Sequence, residues 1–219
     1  MSETWDFLQS PAGSASFNMA LDETLLLTAA KRARPLLRIY SWKKPSVSFG
    51  YFQKLPVNLA GQYEIVRRPT GGGLVYHGNG VDTTYTVVVP PDHRLYGMNT
   101  TDAYCALHKA VAAAFESQTT LHNASSLSPR GQYECFQKPV AGDVVTDGRK
   151  LAGGAQRRNK YGMLHQGSIA GRISAAALKR AFCEVLETSV HDCELSDVER
   201  TMAEELARKK YATDGWNRR

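Results

Sequence analysis

The feature that most restricts the fold is a glycine-punctuated stretch at residues 135–169 (CFQKPVAGDVVTDGRKLAGGAQRRNKYGMLHQGSI). Asp147-Gly148 is a two-residue turn signal. With Asp143 to Thr146 before it and Arg149-Lys150-Leu151 returning, the spacing predicts a β-hairpin. Residues 161–169 read as a further strand. A second glycine-rich stretch, residues 67–80 (RRPTGGGLVYHGNG), lies between a short strand-like run at 65–68 and a β-branched run at 82–89 (DTTYTVVV) that Pro90-Pro91 ends.

Around these stretches the period changes. TWDFLQ near the start reads as a short strand. In residues 16–31, Phe17, Ala20, Leu21, Thr24 and Leu25 recur at the spacing of one helix face, with Ser14 or Ser16 as cap. Asp22 and Glu23 are expected to face solvent. Residues 36–42 and 46–52 read as strands joined through Lys43-Lys44-Pro45, since proline disfavours helix before it. Trp42 and Tyr51 suit either a pocket wall or the core. Residues 99–115 return to helical spacing, with Thr100, Thr101 or Asp102 near the N-terminus, and residues 119–132 read as a loop. Two late helices are expected at 174–185 and 197–211, capped by Ser174 and Asp197. The order of helix, strands, helix, hairpin, strand and helices favours an α+β fold, with a mixed β-sheet and flanking helices, over a regular βαβ repeat. No repeat or linker divides the chain. Residues 1–219 are therefore taken as one domain, with 174–219 its helical C-terminal portion.

The apolar runs are short and broken by charge, which predicts no membrane span, and the first residues lack the pattern of a secretory signal. A cytoplasmic location is the expectation. The four cysteines, Cys105, Cys135, Cys183 and Cys193, form no CxxC pair and suit neither a disulfide scaffold nor a zinc site. Cys105 and Cys183 sit in apolar helical patterns and are expected in the core; Cys135 lies among polar and turn residues. The formal net charge of +6 favours acidic partners. No basic tract or aromatic-basic array points to nucleic acid.

A thiolate is the form of cysteine that attacks acyl carbon, and a nearby ammonium stabilises it. Cys135 and Lys150 flank the hairpin, so strand pairing can bring them to one pocket; taken without context, they are equally two unrelated residues. Gly71, Gly72 and Gly73 can expose backbone N–H groups to an oxyanion or simply form a tight turn. Neither the P-loop nor the dinucleotide fingerprint is present. His77, beside the glycine loop, is suited to orienting substrate, moving a proton or a structural hydrogen bond. Arg67 and Arg68 read as partner-orienting groups or a solvated pair. Arg157, Arg158 and Lys160 read as a receiving patch for an acidic carrier or an exposed loop. The polar residues His165, Gln166 and Ser168 are placed to hydrogen-bond the central loops. No His/Asp/Glu set compels a metal.

Taken together, residues 67–77 (RRPTGGGLVYH), 148–156 (GRKLAGGAQ) and 164–169 (LHQGSI), with NMALDE near Asn18 and SFGYFQ at 48–53, resemble the lipoate–protein ligase and octanoyltransferase superfamily. The resemblance implies a biotin/lipoate protein ligase-like catalytic domain around an acyl tunnel. It sets Cys135 and Lys150 as catalytic residues. Arg68, Gly71, Gly72, Gly73, His77, Gly153, Ala155, His165 and Gly167 become substrate-binding, with no metal and no cofactor. A cysteine at position 135 is similar to one octanoyltransferase branch, whereas the ATP-dependent ligases activate the acid as an adenylate. The implied donor is octanoyl acyl carrier protein. The implied acceptors are lipoyl domains or the glycine-cleavage H protein, and the implied state is a monomer. ATP-dependent ligation, lipoyl amidotransfer between proteins, and a noncatalytic carrier- or acyl-binding module are the alternatives.

Overall fold

A computed structural model describes residues 3–78, 80, 82–123 and 139–219. Strand β1 (Glu3–Gln9) leads into helix α1 (Ala15–Arg32), whose first turn is capped by Ser14 accepting from the Phe17 N–H. Strands β2 (Leu36–Tyr40), β3 (Ser46–Phe49), β4 (Glu64–Arg67), β5 (Val75–His77) and β6 (Asp82–Val89) follow. A single turn, α2 (Arg94–Gly97), precedes α3 (Thr100–Ala113). After β7 (Thr120–Leu121) come β8 (Val144–Thr146), β9 (Arg149–Asn159) and β10 (Gly162–Ala170). Helix α4 (Ala175–Leu186), strand β11 (Thr188–Asp192), helix α5 (Asp197–Leu206), a π turn at Ala207–Tyr211 and the short α6 (Asp214–Asn217) finish the chain.

Eight strands form one mixed sheet in the order β11-β1-β2-β6-β10-β9-β8-β7; the β11, β1 and β2 neighbours are parallel and the rest antiparallel. A second sheet, β4-β3-β5, stands apart. Helices cover both faces of the large sheet, so its central strands are buried on both sides. One face packs Leu37, Val87, Val89 and Met163 against Leu107 and Val111 of α3 and Phe182 of α4. The other sets Leu8, Leu36, Val88 and Leu164 against Leu21, Leu25 and Leu26 of α1 and Ala203 of α5. The N-terminal half of α1 meets Tyr40, Trp42 and Val66 in a third cluster, which carries the small sheet. The expected α+β class, mixed sheet and flanking helices are those observed.

Several local expectations are corrected by packing. Asp22 does not face solvent: its side chain is fully buried, 2.6 Å from Arg38 Nη1, and accepts from Tyr40, Thr86 and Gln166. Glu23 is tied down by Lys210 and Tyr211. An acidic residue on the sheet-facing side of α1 is possible because the strands beneath it supply a guanidinium, two hydroxyls and an amide. Asn99 caps α3, accepting from Asp102 N–H, and Ser196 caps α5 in a capping box with Glu199. Cys105 and Cys183 are half-buried, at the edges of their helices' apolar faces. LAGGAQRR, to which the sequence assigned no element beyond Leu151, is the body of the 11-residue strand β9. Arg157 and Arg158 in that strand are half-buried and donate to the carbonyls of Pro69 and of Tyr96 and Met98, so they form no free basic patch.

Candidate active site

The two glycine-rich stretches meet at a cleft between the small sheet and strands β9 and β10. Counting its open mouth and the solvent there, it encloses about 420 Å³. Met19, Tyr40, Trp42 and Val75 supply apolar wall; Gly72, Gly153, Gly154 and Gly167 supply bare backbone; Ser48, Arg68, His77, Gln166 and Ser168 supply polar groups. An apolar slot with a few polar atoms suits a ligand that is mostly hydrocarbon with one polar head.

The wall at Gly72 is held from three sides. Gly72 has φ +87°, a left-handed conformation that favours glycine. A Cβ on Gly50 would lie 2.0 Å from the Gly72 carbonyl oxygen, so only glycine there lets the two loops meet. Arg68 is buried and donates from Nη1 to Ser48 O and from Nη2 to the carbonyls of Gly71 and Gly73, at 2.7–2.9 Å. Thr70 donates to Gln166 Oε1 at 2.7 Å, and Gln166 Nε2 donates to Asp22 Oδ2 at 2.7 Å. The buried acid of α1 thus anchors the glycine loop through one amide.

On the other side, β9 carries Lys150. Val145 pairs with Lys150 while Val144 pairs with Ala152, so Leu151 is the extra residue of a β-bulge. A bulge resets the alternation of side chains. Lys150 and Gly153, which plain alternation would send to opposite faces, are brought together: a Cβ on Gly153 would sit 2.5 Å from Lys150 Nζ. Glycine at 153 therefore leaves the room that the ammonium fills. Lys150 Nζ lies 2.7 Å from Asp143 Oδ2, with side-chain exposures of 3% and 0%. Tyr104 OH donates to Asp143 Oδ1 at 2.6 Å and accepts from Gly154 N–H at 2.9 Å. Burial, then the Asp143 charge, holds the Tyr104 hydroxyl well above its usual range, so it remains a donor. His108 and His165 pack beside Tyr104, and burial depresses both, His108 to about 4, so both are neutral near pH 7.

His77 closes the small-sheet side. Its ring stacks on Trp42 with centroids 4.1 Å apart, its Nδ1 is 2.5 Å from Asp82 Oδ2, and its Nε2 is 2.7 Å from Ser48 Oγ. Burial lowers the His77 pKa, outweighing Asp82. Burial opposes charge on Asp82, but bonds from His77, Gly78 and Thr84 outweigh it and hold the carboxyl below its usual value. The pair is a neutral imidazole donating from Nδ1 to a carboxylate.

Of the residues singled out in the sequence, Arg68, Gly72, His77, Gly153, Ala155 and Gly167 line one cleft. Gly71 and Gly73 serve it by giving carbonyls to Arg68. Lys150 abuts Gly153. His165 lies behind the cleft, bonded to Tyr85 and Gln156. Cys135 lies outside the described residues. Arg67 is not a solvated charge: it is buried and donates to carbonyls of Tyr51, Gln53, Trp216, Asn217 and Arg219. Trp42 is both core and cleft wall, whereas Tyr51 packs on Trp216 outside the cleft. Ser48, Asp82 and Asp143 are site residues that the sequence reading did not single out. Asp143 offered one signal, as the polar residue heading the strand that pairs with Lys150.

A family model described as the lipoyl protein ligase A/B catalytic domain matches residues 14–209. The octanoyltransferase LipM of Bacillus subtilis is 30% identical over an alignment that covers 98% of each chain. That of Brevibacillus brevis is 29% identical, covering 99% of each. Among solved structures, protein Ta0514 of T. acidophilum with bound lipoic acid superposes with a TM-score of 0.79 at 23% identity over the whole of both chains. A lipoate-protein ligase A bound with ATP gives 0.78 at 22%, covering 99% of this chain and 98% of that one. These two likenesses show the fold.

Proposed function

The chain belongs to the lipoyl protein ligase A/B catalytic domain family, a family of enzymes, and from that premise we propose that it is an octanoyltransferase working through a thioester on Cys135. The observation that carries this reading is the Lys150–Asp143 pair, buried against Gly153 at the edge of an apolar cleft. An ammonium so placed suits a carbonyl whose hydrocarbon tail fills the slot. The relatives matched along their whole length are named octanoyltransferases, which favours transfer over ligation.

The reaction has two halves. The Cys135 thiolate attacks the carbonyl carbon of octanoyl acyl carrier protein, the carbon–sulfur bond to the pantetheine arm breaks, and that thiol leaves with a proton. A lysine amine of a lipoyl domain or the glycine-cleavage H protein then attacks the Cys135 thioester. An amide forms, and the cysteine thiol is released. Lys150 donates to the carbonyl oxygen as negative charge develops there. The glycine loop and Arg68 shape the slot. The net charge of +6 favours acidic carriers in both halves. The thioester supplies the driving force, so neither half consumes ATP.

The test is intact mass after incubation with octanoyl carrier protein, with and without ATP, followed by an acceptor lipoyl domain. One octanoyl adduct is expected on the unaltered chain without ATP. The adduct should be a thioester that neutral hydroxylamine cleaves, this hydroxylamine-labile adduct should be absent in Cys135→Ala, and on the unaltered chain it should disappear when the acceptor is added. Acceptor modification by Cys135→Ala that requires ATP and free octanoate would sink the reading in favour of a ligase.

A further inference from the structure

Ser48, His77 and Asp82 come from three different strands and meet in one hydrogen-bonded line along the cleft. Arg68 donates from Nη1 to Ser48 Oγ at 2.8 Å. Asp82 accepts from His77 Nδ1, which leaves the Nε2 of the neutral ring as an acceptor facing the Ser48 hydroxyl oxygen at 2.7 Å. The donor directions are thereby fixed: Arg68 to Ser48, Ser48 to His77, His77 to Asp82. This is the arrangement of roles that activates a serine for attack, in which a base faces the hydroxyl and a carboxylate orients the base.

The surroundings suit that chemistry. Asp82 Oδ2 also accepts from Thr84 at 2.9 Å and Ser168 at 3.2 Å, and Thr84 in turn accepts from Trp42 Nε1 at 2.8 Å. The carboxylate is therefore held on both sides, and Trp42 covers the imidazole face. Ser48, Arg68 and His77 all line the cleft, so the hydroxyl opens onto the slot while being closed to bulk water. The Arg68 guanidinium stands where negative charge on the serine oxygen would develop.

We propose that Ser48 is a second nucleophile of the cleft, giving this chain an esterase and thioesterase activity on medium-chain acyl esters and thioesters that does not need Cys135. It rests on the reading above only in taking an acyl chain as the occupant of the slot. Ser48 Oγ bonds to the carbonyl carbon and its proton passes to His77 Nε2. The bond to the leaving thiolate or alkoxide breaks, and the leaving group takes that proton from Nε2. Water then attacks the Ser48 ester by the same route, releasing the free acid and restoring the hydroxyl. Asp82 holds the ring throughout.

The experiment uses the full chain with Cys135→Ala, an octyl fluorophosphonate probe and p-nitrophenyl octanoate. One phosphonyl adduct, located to Ser48 by peptide mass spectrometry, and turnover of the ester are expected. Both should vanish in Cys135→Ala/Ser48→Ala. They should slow by roughly 100-fold or more in Cys135→Ala/Asp82→Asn, where the isosteric amide no longer fixes the tautomer. Circular dichroism of each variant shows that it is folded; if the Ser48→Ala variant does not fold, the adduct site and the Asp82→Asn rate decide. A folded Cys135→Ala chain that takes no label, or a label on any other residue, overturns the proposal. Failure here with octanoyl transfer intact in the unaltered chain leaves the Cys135 reading standing.

Discussion

Replacing Asp143 by asparagine tests the electrostatics of the site directly. The carboxylate is fully buried and receives Lys150 Nζ at 2.7 Å, Tyr104 OH at 2.6 Å and the Val140 N–H at 2.7 Å. Asn keeps the shape and one acceptor oxygen, so little packing is lost, but the Lys150 ammonium is left in a dry site without its counter-charge. Breaking a buried pair from one side costs about 3–5 kcal/mol. The shape-conserving change should fall near the lower end, about 3 kcal/mol. With a urea slope of roughly 1–3 kcal/mol/M, the unfolding midpoint drops by about 1–3 M. Lys150→Met in the same chain removes the stranded cation, so the double variant should recover about 2 kcal/mol relative to the sum of the singles. Urea titrations followed by circular dichroism on the four proteins give the cycle. If Asp143→Asn costs under about 1 kcal/mol and the two changes simply add, the pair is not a coupled buried unit, and the argument from it is wrong.

Other expectations concern the same neighbourhood. Gly153→Ala places a methyl 2.4–2.5 Å from the end of Lys150 and 3.0 Å from Asp143 Oδ1; pushing the ammonium off its buried partner should lower octanoyl transfer by about 100-fold and also lower the melting temperature, since the Asp143 carboxylate loses its counter-charge. Gly50→Ala meets rigid backbone instead, 2.0 Å from Gly72 O, so thermal unfolding should show a loss of about 1–3 kcal/mol together with lost activity. Asp22→Ala strands the buried Arg38 and releases from α1 the Gln166 amide that anchors the glycine loop; a loss of about 3–5 kcal/mol is expected by denaturant titration. The unfolded chain protonates His108 near pH 6.5, while the folded chain resists until about 4. Between those values the unfolded state binds more protons, so stability falls as pH drops, by about 3 kcal/mol in full. A His108→Gln variant should show a flatter pH dependence of the urea midpoint across that window.

Much of this protein was settled by local rules. The Asp147-Gly148 turn, the β-branched run of β6 and the helical spacing after Ser14 each fix an element through short-range backbone preferences, and their order gives the α+β class. The two glycine stretches meet at one cleft, where the close approach of Gly50 to the Gly72 carbonyl leaves no room for a side chain. Other features depended on partners distant in sequence. Asp22 reads as a surface acid until Arg38, Tyr40, Thr86 and Gln166 arrive beneath it from three strands. Arg157 and Arg158 read as a carrier-receiving patch or an exposed loop, yet pairing with β8 and β10 on either side makes LAGGAQRR a strand. The bulge at Leu151, which turns Lys150 toward Gly153, and the meeting of Ser48, His77 and Asp82 follow from strand register. Register is set by the packing of whole faces, which no short window of residues contains.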